Sequence, residues 1–119
     1  MELIALLSLG KETWAQVSGL IKQGDWDKVI ILGDESSSQF SVLGKENITE
    51  FIKINLDKKL IALKDEFSKN LKGKIKGVEV AVTIASGNGK EHMALISALI
   101  NLPVGIRFAA LTRLGVVDL

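Results

Sequence analysis

Residues 78–102 read VEVAVTIASGNGKEHMALISALINL, and this stretch decides the fold. Its first part, VEVAVTIA, is apolar and rich in β-branched residues, which predicts a strand from Val78 to Ala85. A glycine-rich run, SGNGK, follows at residues 86–90. The apolar segment from Glu91 to Leu102 then predicts a helix, which Pro103 ends. Strand, short glycine loop and helix in this order are typical of an α/β fold with a parallel sheet.

The same alternation continues on both sides of this stretch. Further strands are predicted from Glu2 to Leu9, Lys28 to Gly33, Asn47 to Asn55 and Val104 to Leu111, with the third of these at a sheet edge. One helix is predicted from Lys11 to Gln23. A second helix is predicted from the apolar stripe of Leu56, Leu60, Leu63, Phe67 and Leu71. A short helix at residues 38–43 is one interpretation of an ambiguous connector. Residues 115–119 are either a sixth strand or a stub that packs on a partner. This order predicts a Rossmann-like, open, mostly parallel sheet of five to six strands with helices on both faces.

Composition and charge narrow the class of protein. The chain has 119 residues, 47% of them hydrophobic and 24% charged, which favours one globular ligand-binding domain over residues 1–119. It has no cysteine and one histidine, so we expect no disulfide, no metal site and no cofactor. A net charge of +1 gives no strong signal for duplex nucleic acid. No apolar run approaches the ~20 residues that span a membrane. The lack of cysteine predicts a reducing, cytoplasmic location.

Two glycine-containing loops follow the first and fourth predicted strands. If the first three strands run outward, the first and fourth lie side by side, and a crevice opens at their carboxyl ends. Each loop leads into a helix N-terminus, whose unpaired N–H groups and positive dipole end attract an anion. The predicted phosphate-binding residues are Ser8, Gly10, Lys11, Ser86, Gly87, Asn88, Gly89 and Lys90. The alternative is that both loops merely join strand to helix.

Known nucleotide motifs are absent from these loops. The second loop lacks the Walker pattern, because Ile84 and Glu91 occupy positions that the motif gives to glycine and Ser or Thr. The first loop lacks the GxGxxG fingerprint, so neither ATP hydrolysis nor NAD chemistry is expected. His92 and Lys90 are the candidates for acid–base or electrostatic catalysis, although a lone histidine in a first helical turn is more often without function. Asp34 and Glu35, after the second strand, are candidate contacts to a ribose hydroxyl, with a solvated loop as the favoured alternative.

The helix from Glu91 to Leu102 is apolar nearly all round. Such a helix must be covered on more than one side. The sheet covers one side, and we expect a second copy of the chain to cover another, giving a homodimer through this helix. Burial under the C-terminal tail or a neighbouring helix is the alternative.

The two loops and the apolar helix resemble the CARF domains, the CRISPR-associated Rossmann-like sensor modules. In that family the fourth-strand loop is a Thr/Ser-Gly-Gly-Thr-Lys type with methionine soon after. Ser86, Gly87 and Lys90 match this pattern, whereas Asn88 and Gly89 depart from it. The likeness covers the whole element order but only about ten residues in detail, since the motif is short.

The resemblance implies a homodimer that binds a cyclic oligoadenylate across its axis, with a role in antiviral defence. Contacts would come from Ser8, Gly10, Lys11, Ser86, Gly87, Asn88 and Lys90. A ligand sensor without chemistry is favoured, because no carboxylate–histidine constellation is evident. A metal-independent phosphodiesterase (a ring nuclease) and a structural dimerisation module are the alternatives. We expect Lys90→Ala and Gly87→Val to weaken binding with the fold intact.

Overall fold

The computed structural model describes residues 1–8 and 10–119. The strands in this part of the chain are β1 (Glu2–Leu7), β2 (Lys28–Gly33), β3 (Thr49–Lys53), β4 (Glu79–Thr83), β5 (Gly105–Thr112) and β6 (Gly115–Asp118). The helices are α1 (Trp14–Gln23), α2 (Leu60–Leu71) and α3 (Gly89–Asn101). Leu9, predicted to end the first strand, lies outside the described residues.

The six strands form a sheet in the order β3-β2-β1-β4-β5-β6. Strands β1 to β5 are parallel, and β6 runs antiparallel to β5. The predicted central pairing is confirmed, because β1 lies beside β4 with Ile4 opposite Val82. The order reverses between these two strands, and such a switch point is where open α/β sheets bind ligands.

Alternate residues of the buried strands supply two apolar layers. On one face, Ile4 and Leu6 of β1 pack with Phe67 of α2 and Leu95 of α3. On the other face, residues of the opposite parity pack against α1. Because successive strand side chains point to opposite faces, one apolar run such as Lys28–Gly33 serves both layers. The prediction of a mostly parallel sheet with helices on both faces is confirmed.

The element boundaries differ from the predicted ones where local capping decides them. Helix α3 begins at Gly89 and not at Glu91, because Asn88 caps it. No helix forms at residues 38–43. Instead, the Asp34 side chain accepts a hydrogen bond from the Ser36 N–H at 3.1 Å and starts a 3-10 turn at Glu35–Ser37.

The C-terminal segment forms a strand, as one of its two interpretations predicted. It returns along β5 as β6, with Thr112 opposite Gly115 at the turn. At the opposite side of the sheet, β3 is an edge strand, as predicted. Over the described residues, no helix has the length and apolar character needed to cross a bilayer.

Candidate ligand-binding site

A direct hydrogen bond joins the loops that follow β1 and β4. The Ser8 N–H donates to Ser86 Oγ at 2.9 Å, although 78 positions separate the two residues. Both residues are buried, and the Ser86 side chain has no solvent exposure. A buried hydroxyl that accepts from a backbone amide is costly to lose, because the amide would then be unsatisfied. This bond therefore fixes the distance between the two predicted loops at the β1–β4 switch point.

The second loop is braced by the start of its own helix. Asn88 Oδ1 accepts from the Glu91 N–H at 2.9 Å, and Glu91 Oε1 accepts from the Asn88 N–H at 3.0 Å. This reciprocal arrangement is a capping box. Among the described residues no acceptor contacts the N–H groups of Gly89 and Lys90. These two donors lie at the positive end of the α3 dipole, where an anion is favoured.

His92 holds the loop from the other side. Its Nε2 lies 2.9 Å from the Ser86 carbonyl oxygen. A carbonyl oxygen only accepts, so the Nε2 atom carries the proton that it donates. Ser86 is thus held at its hydroxyl by the first loop and at its carbonyl by α3. The histidine that sequence analysis considered for acid–base chemistry makes a loop-positioning contact in this structure.

Gly87 has a backbone conformation that side chains disfavour. Its φ is +104°, in the left-handed region. A Cβ there would lie 2.6 Å from Leu6 Cδ2 and 2.9 Å from Glu91 Oε1. Both distances are shorter than non-bonded atoms can approach, so only glycine allows the loop to pass this close to β1. A valine at position 87 would therefore disturb the fold as well as the loop.

The two lysines of the loops have protein partners of their own. The Lys90 ammonium donates to the Leu56 carbonyl at 3.0 Å, which ties α3 to the segment before α2. The Lys11 ammonium lies 5.9 Å from the centroid of the Trp14 ring, within the range of a cation–π interaction. Their positive charges remain near the loops, but an anion would share or replace these contacts.

The first loop is held by Trp14, at the start of α1. Its Nε1 donates to the Ser8 carbonyl at 3.0 Å, and its ring meets Phe40 edge to face at a centroid distance of 5.9 Å. Gly10 has φ +95°, and its carbonyl accepts from the Thr13 N–H and hydroxyl. The ring thus supports both Ser8 and Lys11.

The acidic residues after β2 are occupied by their neighbours. Asp34 Oδ1 accepts from the Ser36 hydroxyl, and the Glu35 carboxylate pairs with Lys53 at 2.6 Å. Neither arrangement needs a ligand. In the part of the chain that the structure describes, no group of three or more His, Cys, Asp or Glu side chains is placed to hold a metal ion.

Comparison with solved structures finds the same arrangement of elements elsewhere. Protein VC1899 from Vibrio cholerae has a crystal structure that matches with a TM-score of 0.64 over 92% of this chain. The shared feature is the fold. At 17% sequence identity the likeness extends no further, and the match covers 32% of the Vibrio protein. No protein-family model matches the sequence. No curated protein matches it either.

Two residues that shape the site, Glu91 and Trp14, were not predicted from the sequence. Glu91 is 4% exposed and completes the capping box, and its spacing from Asn88 was a signal that could have been used. Trp14 lies within the helix predicted from Lys11 to Gln23. Nothing in its helical spacing indicates that its indole N–H reaches back to Ser8, because that contact depends on how α1 leaves the sheet.

Proposed function

We propose that this chain is a nucleotide-sensing domain of the CARF type that binds a cyclic oligoadenylate, or a similar phosphate-bearing ligand, at the joined loops. The bond between the Ser8 N–H and Ser86 Oγ carries the proposal, because it makes one site of two loops. The open N–H groups of Gly89 and Lys90 would receive phosphate oxygens, with the Asn88 side-chain NH₂ as a further donor. Lys11 and Lys90 would add charge on the rim.

The proposed assembly is a homodimer through the outward face of α3. Met93 and Ile100 are each 59% exposed on this face, and Ile96 lies half-buried between them. No charged residue follows Glu91 in this helix, so a second copy of the same face meets no like-charge repulsion. A twofold axis along the strands would bring both loop pairs to one rim, where a ring-shaped ligand could touch both.

Binding without chemistry is the favoured activity within this proposal. The His92 proton on Nε2 is committed to the Ser86 carbonyl, and the Lys90 ammonium to the Leu56 carbonyl. Neither is free to act as a general acid or base until those bonds break. The absence of cysteine is consistent with a protein of the reducing cytoplasm. The resemblance to CARF modules is consistent with a role in antiviral defence.

The test is calorimetric titration of the protein with cyclic tetra-adenylate and its linear form. We expect binding of the cyclic form, and recovery of the ligand intact after incubation with EDTA. Ser86→Ala removes the acceptor of the Ser8 N–H and should weaken binding roughly tenfold, the effect of one unsatisfied buried donor. Ser68→Ala, in α2 and outside both loops and the proposed dimer face, is the matched control and should bind like the parent.

Three outcomes contradict parts of this proposal. Failure to bind any oligonucleotide, with a dimer still present in light scattering, would favour a purely structural dimerisation module. Linear products that disappear in His92→Ala would favour the ring nuclease. Equal binding by the parent and Ser86→Ala would show that the joined loops are not the site.

A further inference from the structure

At the carboxyl edge of the sheet, beside the proposed phosphate loop, strands β4 and β5 separate, and we call the gap between them the fork. Strand β4 pairs with β5 as far as Val82 opposite Phe108. Beyond this point β5 continues with β6 as its partner, from Ala109 opposite Asp118 onward. Strand β4 instead turns away through Ile84 and Ala85 toward Ser86. Strands β4 and β5 therefore separate where the ligand loop begins.

A cavity of about 240 Å³ fills this fork. Ile84 and Ala85 line one side of it, Ala109 and Leu111 line the other, and Leu20 of α1 closes one face. Apolar cavities of about 150 Å³ admit benzene, so this one has room for a planar two-ring heterocycle but not for a whole nucleotide. Its walls join the ligand loop directly, because Ala85 precedes Ser86 in the chain.

The fork also offers backbone groups for recognition. In an antiparallel pair, residues alternate between positions that bond to the partner strand and positions that do not. The Leu119 N–H donates to the Phe108 carbonyl, which marks Phe108 as a position that bonds toward β6. Leu111, three residues later, then directs its N–H and C=O away from β6 and toward the fork. One donor and one acceptor on an apolar wall suit the edge of a nucleobase.

We propose that the fork between β4 and β5 receives a nucleobase of the ligand whose phosphates lie on residues 86–90. This inference rests on the proposed function for the identity of the ligand. The small side chains of Ala85 and Ala109 leave the space, and the apolar lining desolvates the faces of the ring. The loop would supply affinity for phosphate, and the fork would supply preference for a base.

The first experiment separates the two sites with two small probes. Adenosine, which has a base and no phosphate, should shift the backbone amide NMR signals of Ile84, Ala109 and Leu111 in the parent protein. Pyrophosphate, which has no base, should shift those of Gly89 and Lys90. The inference is overturned if adenosine shifts no amide signals, or if it shifts only signals of residues outside the fork. Pyrophosphate shifts alone would support the phosphate site of the proposed function and contradict the base site in the fork. Adenosine shifts alone would support the base site and contradict the phosphate site.

The second experiment fills the fork. Ala85→Leu at the rim and Ala109→Leu on the wall should each abolish the adenosine shifts and weaken cyclic tetra-adenylate binding on the order of tenfold, as expected for loss of a base contact. Pyrophosphate shifts should persist in both. Ala62→Leu, on the exposed side of α2, adds the same atoms elsewhere and should change nothing.

Two results with the Ala85→Leu and Ala109→Leu variants would contradict binding of a nucleobase in the fork. Filled variants that bind the cyclic ligand as tightly as the parent would show that no base enters the cavity. Filled variants that also lose the pyrophosphate shifts would show that the substitutions act through the loop. Thermal unfolding confirms that each variant folds, and Ala85→Leu, at an exposed position, remains informative if Ala109→Leu does not fold.

Discussion

Gly87 shows how one residue links the loop to the sheet beneath it. Its positive φ and its closeness to Leu6 and Glu91 are two separate demands for glycine. The expectation that Gly87→Val leaves the fold intact conflicts with this geometry. The cause is the path of the chain between β4 and α3, which the residue type alone does not reveal.

We predict that Gly87→Ala lowers the free energy of unfolding by more than Gly73→Ala does. Both substitutions force a side chain into a positive φ, which costs about 1–3 kcal/mol. Only position 87 adds a collision, because no atom lies within 4 Å of a Cβ at Gly73. Overpacking of this kind costs a further ~1–3 kcal/mol. Urea unfolding of the two variants checks this, and equal losses would contradict the close approach.

At the scale of the element, α3 depends on its cap for both its start and its loop. The capping box between Asn88 and Glu91 fixes where the helix begins, and the same two residues flank the open N–H groups of Gly89 and Lys90. A helix that frayed there would lose the geometry of the proposed phosphate contacts. Stability and binding are therefore coupled at this helix end.

We predict that Asn88→Ala destabilises the protein by about 1 kcal/mol, the usual cost of losing an N-cap. Asn88→Ser keeps a capping oxygen and should restore most of the stability. Thermal unfolding of the three proteins measures this. If the alanine and serine variants unfold at the same temperature, the cap contributes little, and another contact must set the start of α3.

At the scale of the whole molecule, the apolar layers leave one flank of α3 uncovered. Ala94, Leu95, Ala98 and Leu99 are buried, whereas Met93 and Ile100 face outward. The prediction of a helix apolar nearly all round rested on composition, and only packing distinguishes the covered side from the open one. That open side is where the proposed second copy would lie.

We predict that Ile100→Glu shifts the protein from dimer to monomer in sedimentation velocity. A dimer of this variant would bury two glutamate carboxylates at the interface without partners, which is costly. Ile61→Glu is the matched control, because Ile61 is 71% exposed on α2 and outside this face. A dimer that survives Ile100→Glu, or a parent protein that is monomeric, would contradict the proposed interface.

The sequence alone determined the order of strands and helices and the two loops, whereas the central position of β1 and β4 followed only on the condition that the first three strands run outward. These follow from local periodicity and from the short connections of α/β units, which are properties of neighbouring residues. The capping spacing from Asn88 to Glu91 also lay in the sequence.

Only the tertiary structure decided where the functional groups of the site point. Lys90 and Lys11 were predicted from charge, yet their ammonium groups meet the Leu56 carbonyl and the Trp14 ring. The bond from Ser8 to Ser86 and the fork between β4 and β5 likewise join segments distant in the chain. Long side chains and diverging strands take their directions from neighbours that folding brings together, and no local pattern encodes those neighbours.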